Sequence, residues 1–170
     1  ARGTLAHRLF EEWDFAGDGP PNLDELVKEA RLGLTHRAVL RAQLETMAAR
    51  FRGCPLYSRL ASGAAPGREE PFLLSLGGAV IRGTIDALLE DGTVIDYKTG
   101  ARDEKKEERY ALQLALYAAA VRRLLGKEPR GGVLYYADLG QAVPVPMDAV
   151  VVDSALVRAE AAVGALRGKG

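Results

Sequence analysis

Residues 79–99 read AVIRGTIDALLEDGTVIDYKT. Two short apolar runs, Ala79–Leu89 and Thr93–Thr99, flank Glu90-Asp91-Gly92. Both runs are rich in β-branched residues, so the spacing predicts two strands joined by a tight turn. A three-residue loop would put Gly92 in the left-handed position after a type I turn. Residue 89 then faces 93, and Asp86 faces Asp96 with Cβ atoms ~5 Å apart. A two-residue Asp91-Gly92 turn would instead set Ala87 opposite Asp96 and turn Asp86 to the other face of the sheet. The sequence is compatible with both registers. In either, the period of two places Asp96 and Lys98 on one face.

Outward from this hairpin, Pro71–Leu76 predicts a preceding strand, making three in succession. Arg102–Arg109 is charged and reads as a loop and helix start, and Tyr110–Leu125 as an Ala- and Leu-rich helix stopped by Gly126 and Pro129. Val133–Leu139 predicts a fourth strand. Ala142–Met147 predicts a fifth, at a sheet edge because Pro144 and Pro146 cannot donate to a ladder. Asp153 or Ser154 would cap a last helix reaching about Leu166. Towards the N-terminus, Leu5, Ala6, Leu9, Phe10 and Trp13 give helical spacing over Gly3–Phe15. A turn over Ala16–Asn22 follows, then a short helix with Asn22 as cap and Glu25 completing a capping box. A further helix is expected over Thr35–Phe51, closed by Gly53 and Pro55, with Ala61–Arg68 as a linker. The order of helices, three strands, helix, one or two strands and helix defines an α/β protein with helices on a sheet.

The chain has 170 residues, 48% of them apolar and 27% charged, the balance of one globular domain rather than a disordered segment. No apolar run approaches the ~20 residues of a membrane span. A single cysteine, Cys54, excludes an internal disulfide framework and reads as a small buried apolar residue. The formal net charge is zero. A protein gripping nucleic acid by bulk charge would be strongly basic, so any such contact here is local or the substrate is delivered by a partner. The chain opens at Ala1, without an initiator Met, directly into a helical pattern, and is expected to be a segment of a longer polypeptide.

Asp86 and Asp96 stand in apolar strand context, where a carboxylate is expensive unless a cation or hydrogen bonds compensate it. Set opposite each other, they repel unless a divalent cation lies between them, and an all-oxygen pair with open coordination suits Mg²⁺ or Mn²⁺. The bland alternative is two solvated strand-end acids, with Lys98 as a surface ion-pair partner. In the following helix Gln113 and Tyr117 are conspicuous polar groups at i and i+4 and share a face. An amide and a phenol there suit a phosphate contact as well as ordinary core satisfaction. His7 lies on the amphipathic first helix. Glu69 and Glu70, just before the first strand, either add an acid to the site or are solvated loop charges. Residues 31–60 hold six Arg and one acid, Glu45; Arg37 and Arg41 share a helix face and are candidates for the nucleic-acid backbone.

The ordered segments GTLAHRLFEE, EEPFLL, GTIDAL, VIDYKTG and QLALY together resemble the RecB/AddA-type nuclease domain of the PD-(D/E)XK superfamily. The match runs from about residue 3 to about residue 140. It implies a restriction-endonuclease-like αβββαβ core, a mixed central sheet flanked by helices, with an N-terminal helical segment. One domain is expected over 1–170, with a mainly helical part to residue 68 carrying the histidine and a sheet core from 69. By position, His7, Asp86, Asp96 and the Tyr97 carbonyl look like metal ligands and Lys98 like the catalytic lysine. Gln113 and Tyr117 match the motif that supports the site and contacts DNA, and Glu70 sits where many relatives carry an acid. Ile85 replaces the proline of the superfamily's name.

The resemblance implies a cytoplasmic Mg²⁺-dependent nuclease (Mn²⁺ substituting) on single-stranded DNA. It would work with a helicase in the same chain or complex, in DNA end processing and double-strand break repair. A related branch carries a four-cysteine iron–sulfur cluster; no cysteine follows Cys54, so no such cluster is expected. The competing readings are a catalytically inactive domain that binds DNA and one that binds a partner protein.

Overall fold

A computed structural model describes residues 2–17, 19–30, 32–63, 67–126 and 128–167. In chain order these form α1 (Arg2–Glu11), α2 (Leu23–Lys28), α3 (Leu34–Arg52), α4 (Pro55–Ser62), β1 (Gly67–Leu76), β2 (Ala79–Leu88), β3 (Val94–Lys98), α5 (Glu104–Leu125), β4 (Gly132–Tyr136), β5 (Gln141–Val145) and α6 (Ala149–Arg167). The strands make one five-stranded sheet in the order β1-β2-β3-β4-β5, which leaves the proline-bearing β5 at an edge as expected. The first three strands are antiparallel neighbours. Val94 N–H donates to the Gly131 carbonyl (3.0 Å) and Ala137 N–H to the Lys98 carbonyl (2.9 Å), so β4 runs parallel to β3 after the α5 crossover. The sheet is therefore mixed.

The register left open by the sequence is settled at the hairpin. Leu89 N–H donates to the Thr93 carbonyl (3.0 Å) and Gly92 N–H to the Leu89 carbonyl (2.9 Å). Gly92 takes φ +82°, which a side chain rarely adopts. This is the three-residue loop, and Ala87 faces Ile95 while Leu88 faces Val94.

Four boundaries differ from the sequence expectation. β1 begins at Gly67 rather than Pro71, because β2 offers a full-length partner and ladder bonds override the poor strand propensity of Arg68-Glu69-Glu70. Pro55 begins α4 instead of ending a helix; at the first helical position its missing N–H costs nothing, and Leu56 and Leu60 bury one face. The expected linker thus shrinks to 63–67, of which residues 64–66 lie outside the described set. α5 begins at Glu104, since the Asp103 side chain accepts from Lys105 N–H (3.0 Å) and Lys106 N–H (3.3 Å). The carboxylate of Asp148 accepts from Val151 N–H (2.9 Å), which starts α6 ahead of Asp153 and Ser154.

The chain divides into two compact units. The first takes its described residues from Ala1–Pro66, Tyr97–Ala101 and Tyr135–Val143. Its core is aromatic. Phe10 stacks on Tyr97 (centroids 4.6 Å) and meets Phe51 edge-on (4.9 Å), and Phe51 lies against Trp13 (5.1 Å) and Tyr135 (5.0 Å). Each such ring pair contributes about 0.5–1.5 kcal/mol beyond area burial. Cys54 is buried in this unit, as expected. The second takes its described residues from Gly67–Asp96, Arg102–Leu134 and Pro144–Gly170. There Phe72, Leu74 and Leu76 of β1 are buried together with Leu114, Ala115, Ala118 and Ala119 of α5 and Val152 and Ala155 of α6. The small α5 side chains permit close helix packing. No helix among the described residues is long and apolar enough to cross a membrane.

Candidate functional site

In the second unit the two ladders share β2 and align three acids. Arg68 faces Ala87 and Glu70 faces Ile85, so Glu69 lies opposite Asp86. Ala87 faces Ile95, so the next step along the ladder sets Asp86 opposite Asp96. Glu69, Asp86 and Asp96 therefore form a row across three adjacent strands. Carboxylate oxygens of Glu69 and Asp86 come within 4.8 Å of each other. Asp96 is 2% exposed and Asp86 9%, which makes the row a concentration of negative charge in a largely dry setting.

Glu69 is the residue that sequence reasoning underrated. Its backbone has φ +47°, the left-handed region, at a cost of about 1–2 kcal/mol for a residue with a Cβ. Such strain persists where surrounding structure enforces it, and it clusters at functional sites. Glu70, which the resemblance favoured, is exposed, and its carboxylate folds back over Gly67, 2.8 Å from where a Cβ there would sit. No local sequence signal separates the two glutamates.

On α5 the Gln113 amide donates to the Tyr117 hydroxyl, the contact that their i, i+4 spacing allows. Burial pushes the Tyr117 hydroxyl above its ordinary pKa of 10.0; the Gln113 hydrogen bond opposes this, and the charges of Asp96, Asp86 and Glu69 add to it. Tyr117 is thus within electrostatic reach of the whole acid row and remains a neutral proton donor at physiological pH. Phe72 of β1 holds the ring edge-on, with centroids 5.3 Å apart.

In the first unit, α1 runs along the segment that follows Asp96. The His7 ring meets Tyr97 edge-on at 6.4 Å, and Phe10, one turn along, stacks on the same tyrosine. Near the start of α1, a Cβ on Gly3 would lie 3.4 Å from the Thr99 hydroxyl. Lys98 is half-buried, and its carbonyl is tied to Ala137 N–H. Asp138 organises the turn beyond it. Its carboxylate receives both guanidinium nitrogens of Arg2 (2.9 and 3.2 Å) and the N–H of Gly100, while Arg50 donates to its carbonyl.

Of the candidate arginines on α3, Arg41 is held by Asp24 (2.9 Å) and Glu45 (3.2 Å). Arg37 is half-buried on the same helix, and its Nε has no hydrogen-bond partner among the described residues.

A carboxylate row on a β-hairpin, a lysine two residues beyond its last member and a Gln–Tyr pair on the crossover helix define the class: phosphodiester-cleaving enzymes built on an α/β sheet. The chain belongs to the PD-(D/E)XK nuclease superfamily, whose family model matches residues 1–163. It is similar to the larger-chain component of an ATP-dependent helicase/nuclease from Pelotomaculum thermopropionicum, 33% identical over 128 residues, covering 63% of this chain and 10% of that protein. The ATP-dependent helicase/nuclease component of the same name from Bacillus cereus is 28% identical over 177 residues, covering 85% of this chain and 14% of that protein. The chain thus spans only 10–14% of the length of these curated relatives. A crystal structure from Eubacterium rectale, described as a candidate exonuclease, superposes with a TM-score of 0.64 at 16% identity. It covers 94% of this chain and 64% of that one, and it supports the restriction-endonuclease-like fold.

Proposed function

We propose that this domain is a divalent-metal-dependent deoxyribonuclease acting on single-stranded DNA. It would be fed by a helicase in the same chain or complex during DNA end processing and double-strand break repair in the cytoplasm. The observation that carries the reading is the row Glu69–Asp86–Asp96, with the first two carboxylates within 4.8 Å. Hard oxygen donors at this spacing fit Mg²⁺ or Mn²⁺. The His7 imidazole and the Tyr97 carbonyl are proposed as further donors. When bound, such an ion neutralises phosphate charge and lowers the pKa of water.

The remaining work falls to the chain itself. Lys98 orients the attacking water or offsets charge on the five-coordinate phosphorus. In-line attack breaks the P–O3′ bond and leaves a 5′-phosphate. Gln113 positions the Tyr117 hydroxyl, which stays protonated and serves as a hydrogen-bond donor to a phosphate oxygen. The zero net charge supports delivery by a helicase over capture from solution.

The test is digestion of single- and double-stranded DNA in Mg²⁺ or Mn²⁺ by the wild type, Asp96→Ala and Lys98→Ala. Metal-dependent cutting by the wild type and loss of most activity in both variants is expected. Wild-type rates in both variants, or cutting in EDTA, would overturn the assignment. Metal binding without any cutting would favour an inactive DNA-binding relative.

A further inference from the structure

One groove in the second unit takes no part in the hydrolysis described above. It has a volume of about 300 Å³ and is lined by Phe72, Ile81 and Gly83 of the β1–β2 hairpin and by Leu112, Leu116 and the Gln113–Tyr117 pair of α5. Arg82 and Arg109 complete its lining. The floor depends on Gly83. A Cβ there would sit 2.5 Å from the Phe72 ring, so only glycine lets the ring lie where it does.

Two features select the occupant. The walls are mostly carbon, which offers little to a bare phosphate and much to a flat heterocycle. Arg82 and Arg109 are both exposed, and among the described residues neither is committed to a carboxylate. Elsewhere on the molecule Arg8, Arg41, Arg102 and Arg122 are all tied to acids. An apolar slot with two available guanidiniums matches an aromatic base joined to anionic phosphates. The volume is at the small end of ligand pockets, which run from roughly 300 to 1,000 Å³, and suits a single base. A base inside a duplex is stacked on both faces and paired along its edge, so it cannot enter without being extruded. The groove also adjoins Tyr117, which feels the charges of Asp96, Asp86 and Glu69.

We propose that this groove receives one unpaired base of single-stranded DNA next to the acid row, with Arg82 and Arg109 on the flanking phosphates. Selection for unpaired strands then resides in the nuclease domain itself as well as in any helicase that supplies them. The location rests on the nuclease reading, but base capture does not require cutting.

The test measures binding of a labelled oligodeoxynucleotide by fluorescence anisotropy, with Ca²⁺ replacing Mg²⁺ so that the strand is held intact. The probes are the single strand, the same strand built from abasic units, and the duplex. One captured base should make the wild type bind the intact strand about tenfold tighter than the abasic one, within the range for a single stacked base. Leu116→Trp fills the groove and should erase that preference. Arg82→Ala and Arg109→Ala, at exposed positions, should each weaken both single strands and each reduce the salt slope by ~0.7. Equal affinity for intact and abasic strands overturns the proposal. So does duplex binding as tight as single-strand binding, or no detectable binding of the single strand. A folded Leu116→Trp that keeps the preference overturns it as well; if that variant fails to fold, the two arginine variants decide alone. Base preference without metal-dependent cutting would count against the nuclease reading and leave the groove assignment standing.

Discussion

Replacing Asp86 by Asn removes the middle charge of the acid row while keeping its shape. Asp86 has Glu69 on one side and Asp96 on the other, and the Glu69 and Asp86 oxygens come within 4.8 Å. At an effective permittivity of ~20, two unit charges at that distance repel by about 3.5 kcal/mol. Water around the half-exposed Glu69 and dissolved salt screen much of this, leaving roughly 1–2 kcal/mol. In EDTA at neutral pH, Asp86→Asn is therefore expected to be more stable than the wild type. For a domain of this size each kcal/mol raises the melting temperature by about 2–4 °C, so the gain is ~2–8 °C. Saturating Mn²⁺ reverses the order. An ion at 100 times its dissociation constant stabilises the wild type by about 2.7 kcal/mol, or roughly 5–11 °C, and the variant by much less. Thermal melts of both proteins, with and without Mn²⁺, should thus cross. An Asp86→Asn that melts lower than the wild type in EDTA would show that Asp86 is a structural acceptor. A wild type indifferent to Mn²⁺ would refute the metal site.

Three further outcomes are expected. Asp138→Asn weakens the clamp that Arg2 and Gly100 make on the turn after Lys98; cleavage should fall by roughly tenfold, typical of an outer hydrogen-bond partner, while the Mn²⁺ melting shift stays unchanged. The buried Tyr135 hydroxyl has no hydrogen-bond partner among the described residues, and burial, with Cys54 nearby adding and Arg50 opposing, raises its pKa. A raised folded-state pKa gives stability that is intact below about pH 10 and lost as the pH rises further. Tyr135→Phe should therefore flatten the alkaline loss seen in denaturant melts; Tyr117 keeps part of that loss. At pH 7 it should equal the wild type or exceed it by up to ~1 kcal/mol. Gly92→Ala forces a Cβ into φ +82°, 3.4 Å from the Pro129 Cα, and should cost about 1–2 kcal/mol in a chemical melt, with cutting retained in the folded fraction.

Much of the architecture was legible because its signals are local. Hydrophobic periods of two and of 3.6, together with turn glycines, gave the element order, the edge position of β5 and the hairpin at Glu90-Asp91-Gly92. Errors gathered where a residue has two local meanings. Pro55 both ends and begins helices. The charged run 104–109 reads as loop until the Asp103 cap is seen to turn it into the first turns of α5.

The sequence by itself determined which residue types alternate along β3 and that Gln113 and Tyr117 meet on one helix face, since both follow from backbone periodicity alone. Which of two registers brings Asp86 opposite Asp96, and which of two adjacent glutamates joins them, was decided only by tertiary structure. Those choices depend on ladder bonds contributed by a neighbouring strand and on one left-handed residue, Glu69, that the completed β1–β2 ladder holds in place. Energies of that kind belong to pairs of strands distant in the chain, and no short window of sequence contains them.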